Sequence, residues 1–331
     1  MKILYASASF AAQYHLVATA QNILEAWPKL SSAKDLMEFL KSNPDPERTA
    51  LLDSGVFSTW SRGDEVNIDA YIKTCHELIN AGIFSETVNV DVIPGKWGQI
   101  PSPQQVEESA AKGWQNYMYM IEHGLAPHKI VHVFHQGEEF KWIQKLVDYH
   151  DYTVRQGGEG LYVGISPAND RTTKQRMLWL EQVMPYITNK DGTAKMRWHG
   201  FGVTSYEIMK RYPWFSCDST SWMRAGAMGQ IKVPQIDIKE RPFMNSKIQV
   251  ALTKRSGMSA SNLHFDSLSP AEQEFVREYL KRINVSFDEA SADGSSGVSA
   301  RQHANLHYWK QVEKEINTLD LRWKPMHPTF I

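Results

Sequence analysis

The chain has 331 residues, 42% of them hydrophobic and 22% charged, the make-up of a folded globular protein and not of a disordered or fibrous one. Thirty-six basic residues against 37 acidic leave a net charge of −1, so no overall field draws the chain to nucleic acid or an anionic membrane, and any polyanion site must be a local patch. Cys75 and Cys217 are too few for a disulfide framework or a cysteine-rich zinc site, and no apolar run approaches the roughly 18 residues of a membrane helix. A cytoplasmic protein without a membrane partner is the expectation.

Lys2 followed by ILYASASFAA imitates a secretory leader, but the stretch is short and broken by Ser7 and Ser9. It reads instead as a buried first strand. Residues 14–27 place Leu16, Val17, Ala20, Ile23, Leu24 and Trp27 at helical spacing, and residues 68–81 repeat the pattern with Ile68, Tyr71, Ile72, Cys75, Leu78 and Ile79. Ser102, Pro103 and Gln105 form a capping-box signature for a helix running to about residue 123.

Between the helices lie KILYAS, TALLDSG, TVNVDVIPG, KIVHVFHQG, GLYVGIS, KMRWHGFG and WFSCDST. Most are continuous apolar runs ending in a polar residue or glycine, the pattern of strands buried on both faces of a parallel sheet. Seven such units and a poorly marked eighth predict a (β/α)8 TIM-type barrel, which needs about 250 residues, over residues 1–230. A doubly wound open sheet is the alternative.

Residues 231–331 are expected to hold a basic insertion, the last barrel elements and C-terminal helices packed on the barrel. Within 231–257, Lys232, Lys239, Arg241, Lys247, Lys254 and Arg255 face only Asp237 and Glu240. Such a segment is either a solvated loop or a phosphate-backbone contact. Ser269 to Glu272 caps a helix through about residue 283, and a flexible segment around 292–298 precedes a last helix over about 301–319.

A parallel barrel places its site at the C-terminal ends of its strands. The polar residues there are Asp53 and Ser54, Asp91, His135 with Gln136 and Gly137, Gly164 to Ser166, His199 with Gly200, and Asp218 to Thr220. Asp53 and Asp218, each followed by serine, have a plain reading as helix caps or turn residues. Asp91 interrupts an apolar strand, where an unpaired carboxylate would cost several kcal/mol, so it needs a partner. His132 and His135, three apart in a strand, point to opposite faces, so the paired inward histidines of a metal hydrolase are missing. A mononuclear site of His135, His199 and Asp218 stays open as a metal-hydrolase reading.

Taken together and in order, LLDSGVFS, VNVDVIPG, VFHQG, YVGIS, HGFG and FSCDSTSW resemble the tRNA-guanine transglycosylase superfamily over residues 1–230. DSTSW and the compact length are most similar to the phage-type 7-deazaguanine DNA transglycosylases. The resemblance implies Asp218 as nucleophile and Asp53 as general acid/base. It makes Phe57 an aromatic ring that stacks on the purine, Asp91, Gln136 and Gly137 the readers of the base edge, and Gly164 with Ile165 backbone lining of the pocket. Ser54, His199 and Gly200 fall in the same substrate-binding set, although His199 stands where the tRNA enzymes usually have Met.

Guanine presents N–H donors on its Watson–Crick edge and an acceptor at O6, which a carboxylate beside amide donors complements. A 7-deazaguanine keeps that edge. The resemblance therefore implies exchange of guanine in DNA for a free base such as 7-cyano-7-deazaguanine, with no cofactor. The zinc module of the tRNA enzymes has no cysteines to form here, since Cys217 is the only cysteine in that half. Its absence, with Lys232, Lys239, Lys247, Lys254 and Arg255 in its place as DNA contacts, favours DNA over tRNA, and the host-cell cytoplasm as the compartment. Exchange in tRNA is the alternative.

Overall fold

A computed structural model describes residues 1–8, 22–95, 99–168, 170–203, 205–234, 247–253 and 264–326. Eight strands close into a barrel in chain order: β1 (Lys2–Ala6), β2 (Ile23–Ala26), β3 (Ala50–Asp53), β4 (Glu86–Val88), β5 (Ile130–His135), β6 (Tyr162–Ser166), β7 (Arg197–Gly200) and β8 (Ser216–Ser219). Every neighbouring pair is parallel, and β1 closes the ring on β8 with Leu4 opposite Asp218. The open-sheet alternative is thereby excluded.

The period-2 geometry of a strand sorts its residues. Leu4, Leu24, Leu51, Val88, Val131, Val133 and Tyr162 pack together inside the barrel. Strand residues of the opposite parity, Ile3, Ile23, Leu52, Ile130, Phe134, Val163, Trp198 and Cys217, join the larger core beneath the helices. Burying both faces explains why these runs are continuously apolar. At the bottom of the barrel the Arg197 guanidinium bonds Glu86 Oε1 at 3.0 Å and lies over the Tyr162 ring, 4.9 Å from its centroid.

The helices over residues 68–81, from 103 and from 270 form as expected, as Ile68–Asn80, Pro103–Glu122 and Pro270–Arg282. Complete capping boxes start the last two, from Ser102 with Gln105 and Ser269 with Glu272. Three expectations are corrected. The helix over residues 14–27 does not extend through Ile23–Ala26, which is β2, the poorly marked strand, and Trp27–Ser32 is a 3-10 turn; residues 9–21 lie outside the described ones. Pairing with β1 and β3 overrides a helical spacing there. The strand around TVNVDVIPG ends at Val88, so Asp91 stands in the loop beyond it. The last helix is Ser295–Ile316, so residues 295–298 are its first turn and not a flexible connector.

No described residue beyond 231 contributes a barrel strand. Gln230–Pro234 (β9) and Lys247–Ala251 (β10) pair antiparallel and share a separate apolar cluster with Val276, Tyr279, Leu280 and Ala304. The Ser295–Ile316 helix joins the two cores, since its Leu306, Trp309, Val312 and Ile316 belong to the barrel core. Buried Arg301 donates to the carbonyls of Gly226, Ala290 and Ala292 at 2.7–2.9 Å. Asn305 ties Trp222 and Gln230 to the same helix. Among the described residues no helix is long and apolar enough to cross a membrane.

Candidate active site

Inward parity carries Asp53, His135, His199 and Asp218 to the barrel interior at or near the C-terminal ends of β3, β5, β7 and β8. Neither aspartate is a helix cap. The helix after Asp53, Val56–Trp60, has Gly55 at its N-cap, and the helix after Asp218, Ser221–Ala227, has Thr220. The cap half of the plain reading therefore fails for both, while Asp53 keeps a turn role, its carboxylate accepting from the Gly55 N–H.

Asp53 is the most perturbed carboxyl of the mouth. Burial and the charge of Asp91 raise its pKa, the Gly55 N–H opposes them, Asp218 adds to the rise and Lys29 pulls back, leaving it at about 7. Carboxylates from two other βα units, Asp91 and Asp218, thus both act on Asp53. At neutral pH such a group can both give and take a proton. Ser54 beside it is buried, and its hydroxyl has no hydrogen-bond partner among the described residues. Gly55 has φ +76°, and a Cβ there would stand 2.4 Å from Pro28 Cδ, so the turn that ends β3 requires glycine. Phe57, one turn on, is 57% exposed and tilts against Trp60.

Asp91, although in a loop and not within a buried strand, has a partner. Its Oδ2 lies 2.9 Å from His135 Nε2, and His135 Nδ1 lies 2.8 Å from Glu138 Oε1. Burial lowers the His135 pKa, but the bonds to Asp91 and Glu138 outweigh it and carry the value to about 10. The ring is an imidazolium clamped between two carboxylates. His132 faces the other way, against Trp114 and Tyr117 with Nδ1 bonded to Asn89; burial and His135 lower its pKa to about 3. Gln136 uses its Oε1 to accept from the Ala168 N–H at 2.9 Å, which leaves its NH2 as the group able to donate. Gly137, at φ +116°, makes the turn that returns Glu138 to His135.

The remaining predicted residues separate into two layers. Gly164 faces the interior, where a Cβ would stand 2.5 Å from the Phe201 ring. Ile165 and Gly200 face the helices: Ile165 is fully buried in the outer core, its carbonyl accepting from the Phe201 N–H, and the space at Gly200 is filled by Val203 and Trp214. His199 is fully buried and meets Phe201 edge to face at 4.4 Å. Asp218 Oδ1 accepts from the Gly202 N–H at 2.7 Å.

Of the basic set, Lys239, Lys254 and Arg255 lie outside the described residues, as does the Lys247 side chain. Lys232 packs its ammonium over the Trp309 ring at 5.0 Å, and burial lowers its pKa to about 8. His135 and His199 hold different carboxylates, and among the described residues no group of three or more His, Cys, Asp or Glu is placed to hold a metal ion.

Four residues of the site escaped the sequence reading. Glu138 follows the HQG run by one residue and was legible only through the turn at Gly137. Lys29 follows β2, whose strand character was hidden. Phe201 sat inside the HGFG motif but was not singled out. Ser216, two residues before Asp218, shares its inward face by parity. No protein-family profile and no curated protein matches this chain.

Proposed function

We propose that the protein exchanges guanine in DNA for a free 7-deazaguanine base, such as 7-cyano-7-deazaguanine, through a covalent bond between Asp218 and C1′ of deoxyribose. The observation that carries the reading is Asp53, whose pKa near 7 in the company of Asp91 and Asp218 suits a group that protonates a departing base and deprotonates an arriving one. An Asp218 oxygen attacks C1′ as the bond to guanine N9 breaks, and Asp53 supplies the proton that guanine takes away. The incoming base attacks the same carbon, its N9 proton passes to Asp53, and the Asp218 carboxylate is released. Two displacements retain configuration.

Substrate reading falls to the segments after β4 and β5. The Asp91 carboxylate, fixed by His135, is complementary to the N–H donors of the guanine edge, and the Gln136 NH2 to O6. Phe57 offers its face to the base. A deazaguanine presents the same edge, so one pocket serves both partners of the exchange.

Incubation with labelled guanine and either DNA or tRNA tests the proposal. Label entering DNA supports it. Label entering tRNA alone replaces it with the tRNA reading, and label in neither overturns base exchange.

A further inference from the structure

Beneath Asp218 lies a chain of polar groups that the exchange scheme leaves unused. Tyr162 of β6, His199 of β7 and Ser216 of β8 are each fully buried. The Tyr162 hydroxyl bonds the Ser216 Oγ, which is 2.7 Å from His199 Nδ1. On the far side of the ring, His199 Nε2 comes within 3.4 Å of Asp218 Oδ1, a contact too long and bent to count as a hydrogen bond, and makes no hydrogen bond to any described residue.

Counting hydrogens fixes the direction of this chain. Among the described residues Ser216 is the one hydrogen-bond partner of the Tyr162 hydroxyl, so Tyr162 donates its single hydrogen there. Ser216 then gives its own hydrogen to Nδ1, which must be the acceptor. The ring hydrogen is left on Nε2, the nitrogen on the Asp218 side of the ring. The opposite order, and equally a doubly protonated ring, would put three hydrogens on two contacts and strand one hydroxyl hydrogen, that of Tyr162 or of Ser216, in the barrel. The opposite order would also turn an Nε2 lone pair toward a carboxylate.

We infer that His199 is a positioning residue for Asp218: together with the Gly202 N–H, 2.7 Å from the same oxygen, its Nε2–H holds Oδ1 and leaves Oδ2 to bond C1′. The inference rests on the base-exchange reading. In the forward step an Oδ2 electron pair forms the bond to C1′ while the C1′–N9 bond breaks and N9 keeps its pair. In the return step N9 of the incoming base forms the new bond, the C1′–Oδ2 bond breaks, and its pair returns to the carboxylate, where two donors on Oδ1 stabilise it. His199 transfers no proton. Tyr162 and Ser216 fix its tautomer.

Nitrogen-15 NMR of the histidine-labelled protein reports which ring nitrogen of His199 carries hydrogen and needs no activity. An Nε2–H tautomer is expected; an Nδ1–H or doubly protonated ring overturns the inference. Ser216→Ala and Tyr162→Phe supply the kinetic arm. Each should slow formation of the protein–DNA adduct about tenfold, the loss of one hydrogen bond's worth of orientation, with KM for DNA unchanged. Tyr162→Phe removes one oxygen only and guards against a misfolded Ser216→Ala. Wild-type adduct rates in both variants overturn the inference. A wild type that forms no adduct and exchanges no guanine overturns the base-exchange reading itself, and the tautomer then decides whether the His199–Asp218 hold stands.

Discussion

His135 Nε2 stands 2.9 Å from Asp91 Oδ2, and this bond makes a loop carboxylate a fixed feature of the barrel mouth. Glu138 holds the other ring nitrogen at 2.8 Å, so the imidazole cannot rotate without losing both charge-assisted bonds. Asp91 is thereby presented to the cavity in one orientation.

The clamp has a pH signature. The His135 pKa rises from 6.5 to about 10 on folding, so between these values the folded state binds more protons than the unfolded state. Its contribution is fully present below about pH 6.5 and is lost as pH rises through 10. Urea midpoints measured from pH 6 to 10 should fall more steeply for the wild type than for His135→Gln. Parallel profiles would remove the imidazolium from the site.

Asp53 responds in the same sense but from the opposite chemistry. Its pKa rises from 3.8 to about 7, so the folded state holds a proton that the unfolded chain has lost across that window, and stability falls as pH climbs through it. Asp53→Asn should therefore gain stability relative to the wild type above pH 7, while base exchange drops by roughly 10²–10⁴-fold. In single-turnover experiments the wild-type adduct should form more slowly as pH passes about 7. The asparagine variant should lack that dependence, and a retained one would assign the proton to another group.

Gly55 is where the backbone constrains the site most sharply. An alanine there must adopt φ +76° and place its Cβ 2.4 Å from Pro28 Cδ. The left-handed conformation alone costs roughly 1–2 kcal/mol, and the clash with Pro28 adds to it. Gly55→Ala should lower the unfolding free energy by at least that amount, moving the urea midpoint down, and slow exchange by displacing Asp53. An unchanged midpoint would show that the turn can be rebuilt.

The strands were legible because they are buried on both faces, as in IVHVFH and GLYVGIS, whereas the same runs also fit an open doubly wound sheet and only the pairing of β1 with β8 closes the barrel. ILEA was not, because Ile23, Leu24 and Trp27 fit a helical face as well as a strand, and only pairing with β1 and β3 decides between them. With that strand hidden, Lys29 had no place near Asp53. Asp53 and Asp218 stood out as carboxylates closing apolar runs. Glu138 did not, since its role depends on a turn that folds the chain back within three residues. The fate of Lys232 was equally hidden: charge counting treats every lysine in 231–257 alike, whereas packing sets this one on Trp309.

That difference yields a test within the basic segment. Replacing Lys239, Lys254 and Arg255 should lower the logarithmic salt slope of DNA binding by about 0.9 for each phosphate that is no longer neutralised. Lys232→Ala should instead reduce stability, by uncovering the face of the Trp309 ring, and leave the slope unchanged. A slope that none of these substitutions moves would assign the segment to a solvated surface.

The two aspartates should differ in kind and not only in degree. In the proposed exchange Asp218, with Oδ1 engaged by Gly202 and approached by His199, attacks carbon, whereas Asp53, with a pKa of about 7, manages protons. Asp218→Asn puts a neutral amide in place of the nucleophile, and an amide is a poor nucleophile at carbon. Both exchange and the denaturant-resistant protein–DNA adduct should vanish. Asp53→Asn keeps the nucleophile, so its adduct should accumulate slowly but still appear. Mixing each protein with DNA and a base analogue that cannot attack C1′, followed by a denaturing gel, separates the two. An adduct in the Asp218→Asn lane would move the nucleophile to another residue. A wild type that never forms one would favour an inverting or hydrolytic displacement, in which Asp218 activates water instead of bonding the sugar.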